Sequence, residues 1–232
     1  SVGFLPGRGV LRIHEFWAEG SFPEPAFATA DVWQLNAGGY CQYRIPALCT
    51  TAGGRLLAFS EARRSYLSRG WQWENIQDIE ILSGEFHCAM KYSEDNGRTW
   101  SEQTIVIDRG TTYDARDPSP LLDRDTGEIF LFTRGAWVVS SKDEGETWSG
   151  PRSLNGALPG NWKSGNRKSL IPGTANCAIQ LRHGRVKGRL LVALYGENVV
   201  GLVYSDDHGR TWQPGALAPA YMAGEPSIVE LA

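Results

Sequence analysis

Cysteine is scarce in this chain: the 232 residues hold four, Cys41, Cys49, Cys88 and Cys177. They are too few and too scattered for a disulfide scaffold, and none forms a CxxC pair near histidines at zinc-finger spacing, so they read as core thiols. Histidine is equally sparse, with His14, His87, His183 and His208 dispersed along the sequence. Neither a metal nor a cofactor is expected from such a set. No apolar run approaches the roughly 18 residues that span a bilayer. Ser1 to Val10 lack the charged start and apolar middle of a signal peptide, while a chain that opens on serine leaves secretion open. Blocks of like charge are missing too. The 23 Lys and Arg and 26 Asp and Glu are interspersed, the net charge is −3, and no basic stripe recommends nucleic acid as a partner.

What is present is a repeat. Ser93-Glu94-Asp95-Asn96-Gly97-Arg98-Thr99-Trp100 returns as Ser141-Lys142-Asp143-Glu144-Gly145-Glu146-Thr147-Trp148 and again as Ser205-Asp206-Asp207-His208-Gly209-Arg210-Thr211-Trp212. Five of the eight positions are invariant, as S-x-D-x-G-x-T-W, and the copies start 48 and 64 residues apart. Such an interval suits one four-stranded sheet per repeat, the second with extra loop. Each copy reads as a hairpin turn: the aspartate accepts backbone N–H groups, the glycine takes a positive φ, and the tryptophan starts the next strand. Asp95, Asp143 and Asp207 are therefore expected to build turns rather than to catalyse. Short apolar runs lie between the turns at Arg55–Ser60, Glu128–Thr133, Trp137–Ser140 and Arg189–Tyr195, and no long stretch shows a helical period. With 27 glycines and 12 prolines, the expected fold class is all-β, a β-propeller of four-stranded blades.

The three octapeptides resemble the Asp-box (BNR repeat) of the sialidase superfamily. Tyr43-Arg44-Ile45-Pro46 is similar to the family's F/Y-R-I-P motif and precedes the first Asp-box, as it does there. The resemblance continues through Ser60-Glu61-Ala62-Arg63, Asp117-Pro118-Ser119-Pro120 and Gly224-Glu225-Pro226-Ser227-Ile228-Val229-Glu230-Leu231. It implies a propeller that is six-bladed when complete, of which this chain carries about three to four blades. Residues 1–39 are expected to form a lead-in or part of the closing blade, and residues 40–232 the partial propeller with Asp-boxes at 93–100, 141–148 and 205–212.

The implied activity is that of an exo-α-sialidase (neuraminidase), a retaining glycoside hydrolase that releases sialic acid from glycoproteins, glycolipids or oligosaccharides. Its substrate carries a carboxylate on the anomeric carbon. Arginine suits that group because its rigid fork donates two parallel hydrogen bonds and keeps its charge at any working pH. By the resemblance Arg44 is the first carboxylate-binding arginine and Arg63 a second pocket arginine, with the adjacent Arg64 on the opposite face of a strand as the alternative. The family's acid/base aspartate follows that second arginine, and Asp78 is the only aspartate between Arg63 and the first Asp-box. Glu74 and Glu80 are its substitutes, and a plain strand start is the other reading of Asp78.

Glu225 resembles the glutamate that activates a tyrosine nucleophile, with Glu230 as the rival. The tyrosine and the remaining arginines are expected beyond residue 232, so this piece alone is expected to be inactive. Asp117 stands where relatives carry asparagine and has a possible pocket role, and Trp71 and Trp73 either wall a sugar or cover a core edge. An inactive sialic-acid-binding propeller, a hydrolase of a related nonulosonic acid and a trans-sialidase are the other functions the same residues allow. Family habit implies an extracellular, periplasmic or lysosomal site.

Overall fold

Among the described residues, thirteen strands make up three antiparallel sheets that follow one another along the chain. The computed structural model describes residues 29–40, 42–63, 86–108, 115–159, 162, 171–172, 177–196, 199–219 and 224–231. The first sheet runs in the order β1 (Gln42–Thr50), β2 (Leu56–Arg63), β3 (Phe86–Ser93) and β4 (Thr104–Ile107). The second runs β5 (Ser119–Leu122), β6 (Ile129–Thr133), β7 (Trp137–Ser141) and β8 (Arg152–Ser153). In the third, β10 (Ala178–Gln180), β11 (Leu190–Tyr195), β12 (Val199–Ser205) and β13 (Gln213–Pro219) follow in order, with β9 (Ile171–Pro172) paired to β11. Four apolar runs of the sequence thus become β2, β6, β7 and β11. Residues 226–231 take part in no sheet among the described residues.

The middle sheet explains its own sequence. Strand β6, Ile-Phe-Leu-Phe-Thr, is buried along its whole length. Since successive side chains point to opposite faces, Ile129 and Leu131 enter the core shared with Leu57, Phe59, Cys88 and Met90 of the first sheet. Phe130 and Phe132 enter the core shared with Leu190, Val192, Leu194 and Val203 of the third. A strand covered on both faces needs a continuous apolar run rather than an alternating one.

The Asp-boxes are the β3–β4, β7–β8 and β12–β13 turns, and all three are built alike. In the first, the Ser93 hydroxyl donates to Asp95 Oδ1 at 2.8 Å and accepts the Gly97 N–H at 2.8 Å. Asp95 in turn accepts the Thr99 N–H at 2.9 Å and the Thr99 hydroxyl at 2.7 Å. Not only the glycine but also the residue before it is left-handed, at φ 58°, 56° and 57° for Asn96, Glu144 and His208. The tryptophans depart from the sequence expectation at two of three boxes. Trp100 and Trp148 stop short of β4 and β8; Trp148 folds back to donate its indole N–H to the Gly145 carbonyl at 3.1 Å. Packing rather than strand nucleation accounts for the residue: Trp148 meets Phe59 of the preceding sheet edge-on at 5.8 Å between centroids, and Trp212 meets Phe132 at 5.3 Å. Each of these boxes therefore clips its sheet to the one before it. Gly209 lies so close beneath Phe130 that a Cβ there would stand 2.4 Å from the ring, at φ +75°.

These turns have a pH signature. The converging hydroxyl and N–H donors hold Asp95, Asp143 and Asp207 at a pKa of about 2, against an ordinary value of 3.8. A carboxyl whose folded pKa lies below its unfolded one stabilises the fold fully above the unfolded value and loses that contribution as pH falls through the folded one. We expect the melting temperature to fall between pH 4 and pH 2. In an Asp143→Asn, Asp207→Asn double variant the melting temperature should start lower at pH 7 and decline less over that acid range; parallel curves for the two proteins would contradict this.

Candidate active site

The end of the sheets opposite the Asp-boxes carries Arg44, Glu61, Arg63, Asp117 and Arg134. There the backbone leaves regular geometry at the start of the first strand of a sheet, or of the unpaired 224–231 segment. Ile45, Asp117 and Glu225 take φ values of +51°, +55° and +52°. Non-glycine residues in this region cost about 1–3 kcal/mol each, and persist where packing and hydrogen bonds over-determine them. At Ile45 the cause is a bulge: Arg44 pairs with Glu61 and Ala47 with Phe59, so two residues of β1 oppose one of β2. Pro46 has no N–H to give the ladder, and the Ser60 hydroxyl holds the Arg44 carbonyl at 2.8 Å. A bulge bends its strand and re-aims the side chain next to it, which is the physical content of the Tyr-Arg-Ile-Pro sequence. Tyr43 anchors the motif from the other face, stacked on Trp33 with centroids 5.5 Å apart and donating its hydroxyl to the Ala37 carbonyl at 2.9 Å.

Arg44 is exposed, and among the described residues its guanidinium makes no hydrogen bond or ion pair. Partial burial and the nearby Arg63 push its pKa down, while Glu61, Asp117 and Glu225 act in the opposite direction. Arg44, Arg63 and Glu225 therefore share one electrostatic neighbourhood. Arg63 differs from Arg44 in being engaged: its Nε and Nη2 donate to Glu61 Oε2 at 3.0 and 2.5 Å, and its guanidinium lies over Phe86 at 5.0 Å. Glu225 is exposed. Glu230, the alternative to it, is occupied elsewhere, accepting the Arg182 and His183 N–H groups at 2.7 and 2.9 Å. Asp78 lies outside the described residues, as do Arg64, Trp71, Trp73, Glu74 and Glu80.

Glu61 is the residue that sequence reasoning passed over. It is 1% exposed, and besides receiving Arg63 it accepts the backbone N–H of Asp117 on Oε1 at 3.0 Å. One buried carboxylate thus fixes Arg63 of the first sheet and the entry of β5 in the second. Its position two residues before Arg63, on the same face of a strand, was the available signal. Asp117, 4% exposed, pairs through Oδ2 with Nε and Nη2 of Arg134, both at 2.7 Å. Burial pushes the Asp117 carboxyl up and Arg134 pulls it down.

A second cluster, Asp123, Asp125 and His208, lies near the Asp-box end and offers three ligand atoms within 4.8 Å of one another. The Gln180 amide nitrogen donates to Asp123 Oδ1 at 2.8 Å and Asp125 Oδ2 at 2.9 Å, while its oxygen accepts the Arg124 N–H at 2.8 Å. That last bond fixes which end of the amide faces the carboxylates, so a donor stands where a cation would need an acceptor. The cluster ties the second sheet to the third. Among the described residues Cys49, Cys88 and Cys177 form no disulfide; burial raises Cys49 to about 11 and pushes Cys88 higher, and Cys41 lies outside the described residues. Among the described residues no helix is long and apolar enough to cross a membrane.

Consecutive four-stranded antiparallel sheets clipped by a repeated turn define blades of a β-propeller. Two solved structures share this fold. The Hadza microbial sialidase Hz136 superposes with a TM-score of 0.61 at 22% identity, over 82% of this chain and 41% of its own. The NanB sialidase of Streptococcus pneumoniae gives 0.62 at 15% identity, over 83% and 47%. The model of the BNR repeat-like domain matches residues 54–232. The chain belongs to that BNR-repeat family, and within it stands with the sialidases. It is 33% identical to a sialidase of Micromonospora viridifaciens over 83% of its own length, and 30% identical to one of Paraclostridium sordellii over 82%. It spans 32% and 50% of the lengths of those two relatives.

Proposed function

We propose that this chain is the Arg44-bearing part of an exo-α-sialidase that removes terminal sialic acid from glycoproteins, glycolipids or oligosaccharides by a retaining mechanism. The observation that carries the reading is Arg44 itself: a guanidinium aimed by a bulge, flanked by charged groups, and uncommitted to any described residue. Such a fork receives the substrate carboxylate through two parallel N–H donors. Arg63, held by Glu61, adds positive potential beside it. Asp78 protonates the departing glycosidic oxygen. The nucleophile is a tyrosine supplied from outside these 232 residues, an established variation on the two-carboxylate scheme of glycosidases. With an ordinary pKa near 10 that hydroxyl needs a base. Glu225 takes its proton as the oxygen attacks the anomeric carbon, and water then releases the sugar with retained configuration. The 232-residue chain alone is then expected not to turn the sugar over.

The test is hydrolysis of a fluorogenic α-sialoside by the longest form of the protein that carries this chain, beside a Glu225→Gln variant. Loss of a general base lowers kcat by about 10²–10⁴-fold, with little change in melting temperature because Glu225 is exposed. Turnover that survives Glu225→Gln would remove Glu225 from the mechanism. A folded parent that binds sialic acid and never hydrolyses it would turn the assignment to a sugar-binding propeller.

A further inference from the structure

We propose that Arg134 is a positioning residue of the pocket, acting through Asp117: it keeps that buried carboxylate ionised and turned so that one oxygen stays open to a hydrogen-bond donor on the bound sugar. The last clause rests on the sialidase reading; the pairing itself does not.

The geometry is unusual for an arginine and a carboxylate. A fork commonly meets both oxygens of its partner, yet Nε and Nη2 of Arg134 converge on Oδ2 alone, each at 2.7 Å. Among the described residues Oδ1 has no hydrogen-bond partner. The carboxylate cannot turn freely, because its own backbone is pinned. The Asp117 N–H is held by Glu61 at 3.0 Å, φ is +55°, and the Arg134 N–H donates to the Arg116 carbonyl at 2.9 Å, tying the β6–β7 turn to the entry of β5. That turn passes through Gly135 and Ala136 at φ +84° and +56°, directly after Arg134.

The charges facing Asp117 come from each element around it. Glu61 of β2 and burial both favour the protonated acid, whereas Arg134, and less strongly Arg116, favour the anion. Arg44 of β1 senses the Asp117 charge in turn. Removing Arg134 leaves burial and Glu61 dominant, and the carboxyl, already raised by burial, is pushed further toward its protonated form. Protonated, it changes from acceptor to donor and withdraws a negative charge from beside Arg44. Sugar binding should then weaken at acid pH and recover toward neutrality.

The experiment follows the Asp117 carboxyl carbon by NMR through a pH titration of the full chain, in the native sequence, Arg134→Met and Arg134→Lys. In Arg134→Met the midpoint rises by about one unit or more, the size expected for loss of an opposite charge in contact. Arg134→Lys keeps most of the native midpoint. Affinity for the unsaturated glycal of sialic acid, measured by calorimetry, falls about tenfold at pH 5 in Arg134→Met and by much less at pH 7.5. An unmoved midpoint in a folded Arg134→Met protein overturns the proposal. Should that variant not fold, an unchanged midpoint in Arg134→Gln does the same. A midpoint that moves while the native chain binds no glycal upholds the Arg134–Asp117 coupling and removes the sialic-acid ligand instead, so the two failures are distinguishable.

Discussion

Arg44→Ala lowers kcat/KM for an α-sialoside by about thirtyfold or more while leaving the protein as stable as before. The reason lies in what Arg44 does not do. It makes no hydrogen bond or ion pair among the described residues, and its side chain is exposed, so truncation leaves no orphaned partner inside the fold. Substitutions of that kind usually stay within about 0.5 kcal/mol. Removing Arg44 also relieves its repulsion of Arg63. Binding suffers instead, because the substrate carboxylate loses a two-pronged charged donor, a change of about 2–5 kcal/mol. At about 1.4 kcal/mol per factor of ten, kcat/KM drops by at least about thirtyfold and up to several thousandfold. Arg44→Lys recovers little, since an ammonium cannot supply the parallel pair. Kinetics and a thermal melt on the same preparation decide the matter: unchanged kcat/KM in a folded Arg44→Ala protein would sink the sialidase reading, and a large loss of melting temperature would show that the arginine is structural.

The opposite split is expected at Glu61. This carboxylate is 1% exposed and receives three hydrogen bonds, two from Arg63 and one from the Asp117 N–H. Glu61→Ala leaves a largely buried guanidinium and a buried N–H without an acceptor, and breaking a buried ion pair from one side costs about 3–5 kcal/mol. For a chain of this size that corresponds to a fall in melting temperature of about 6–20 °C. Replacing both partners, as Glu61→Leu with Arg63→Met, should recover most of that stability, because apolar groups of similar volume need no partner. It should not recover sialoside binding, since Arg63 and the fixed start of β5 are then both lost from the pocket. Thermal melts of the two variants settle the first point; equal melting temperatures for Glu61→Ala and the native chain would show that water replaces the carboxylate at no cost.

The contrast between Arg44 and Glu61 also measures what a sequence displays. Repetition and motif order announced the blades and named Arg44, because both features are local: a turn needs its serine, aspartate, glycine and threonine within eight residues, and a bulge needs its proline beside its arginine. The tryptophan of each box was legible as a repeat but not as a clip, since its partners Phe59 and Phe132 lie far away in sequence, on the preceding blade. Arg134 carried no local signal at all. Its meaning depends on Asp117, 17 residues earlier, being folded onto the same end of the second blade.

By itself, then, the sequence determined the fold class and the position of the turns, and singled out Arg44 by its motif, because period, composition and short motifs encode local geometry. The tertiary structure decided which charges meet. Through-space pairing made Glu61 the buried link between two blades, committed Arg63 to it while leaving Arg44 open, took Glu230 away from the pocket, and set Arg134 on Asp117. Each of those outcomes follows from residues distant in sequence being brought within a few ångströms of one another, where burial makes an unpaired charge too costly to leave alone.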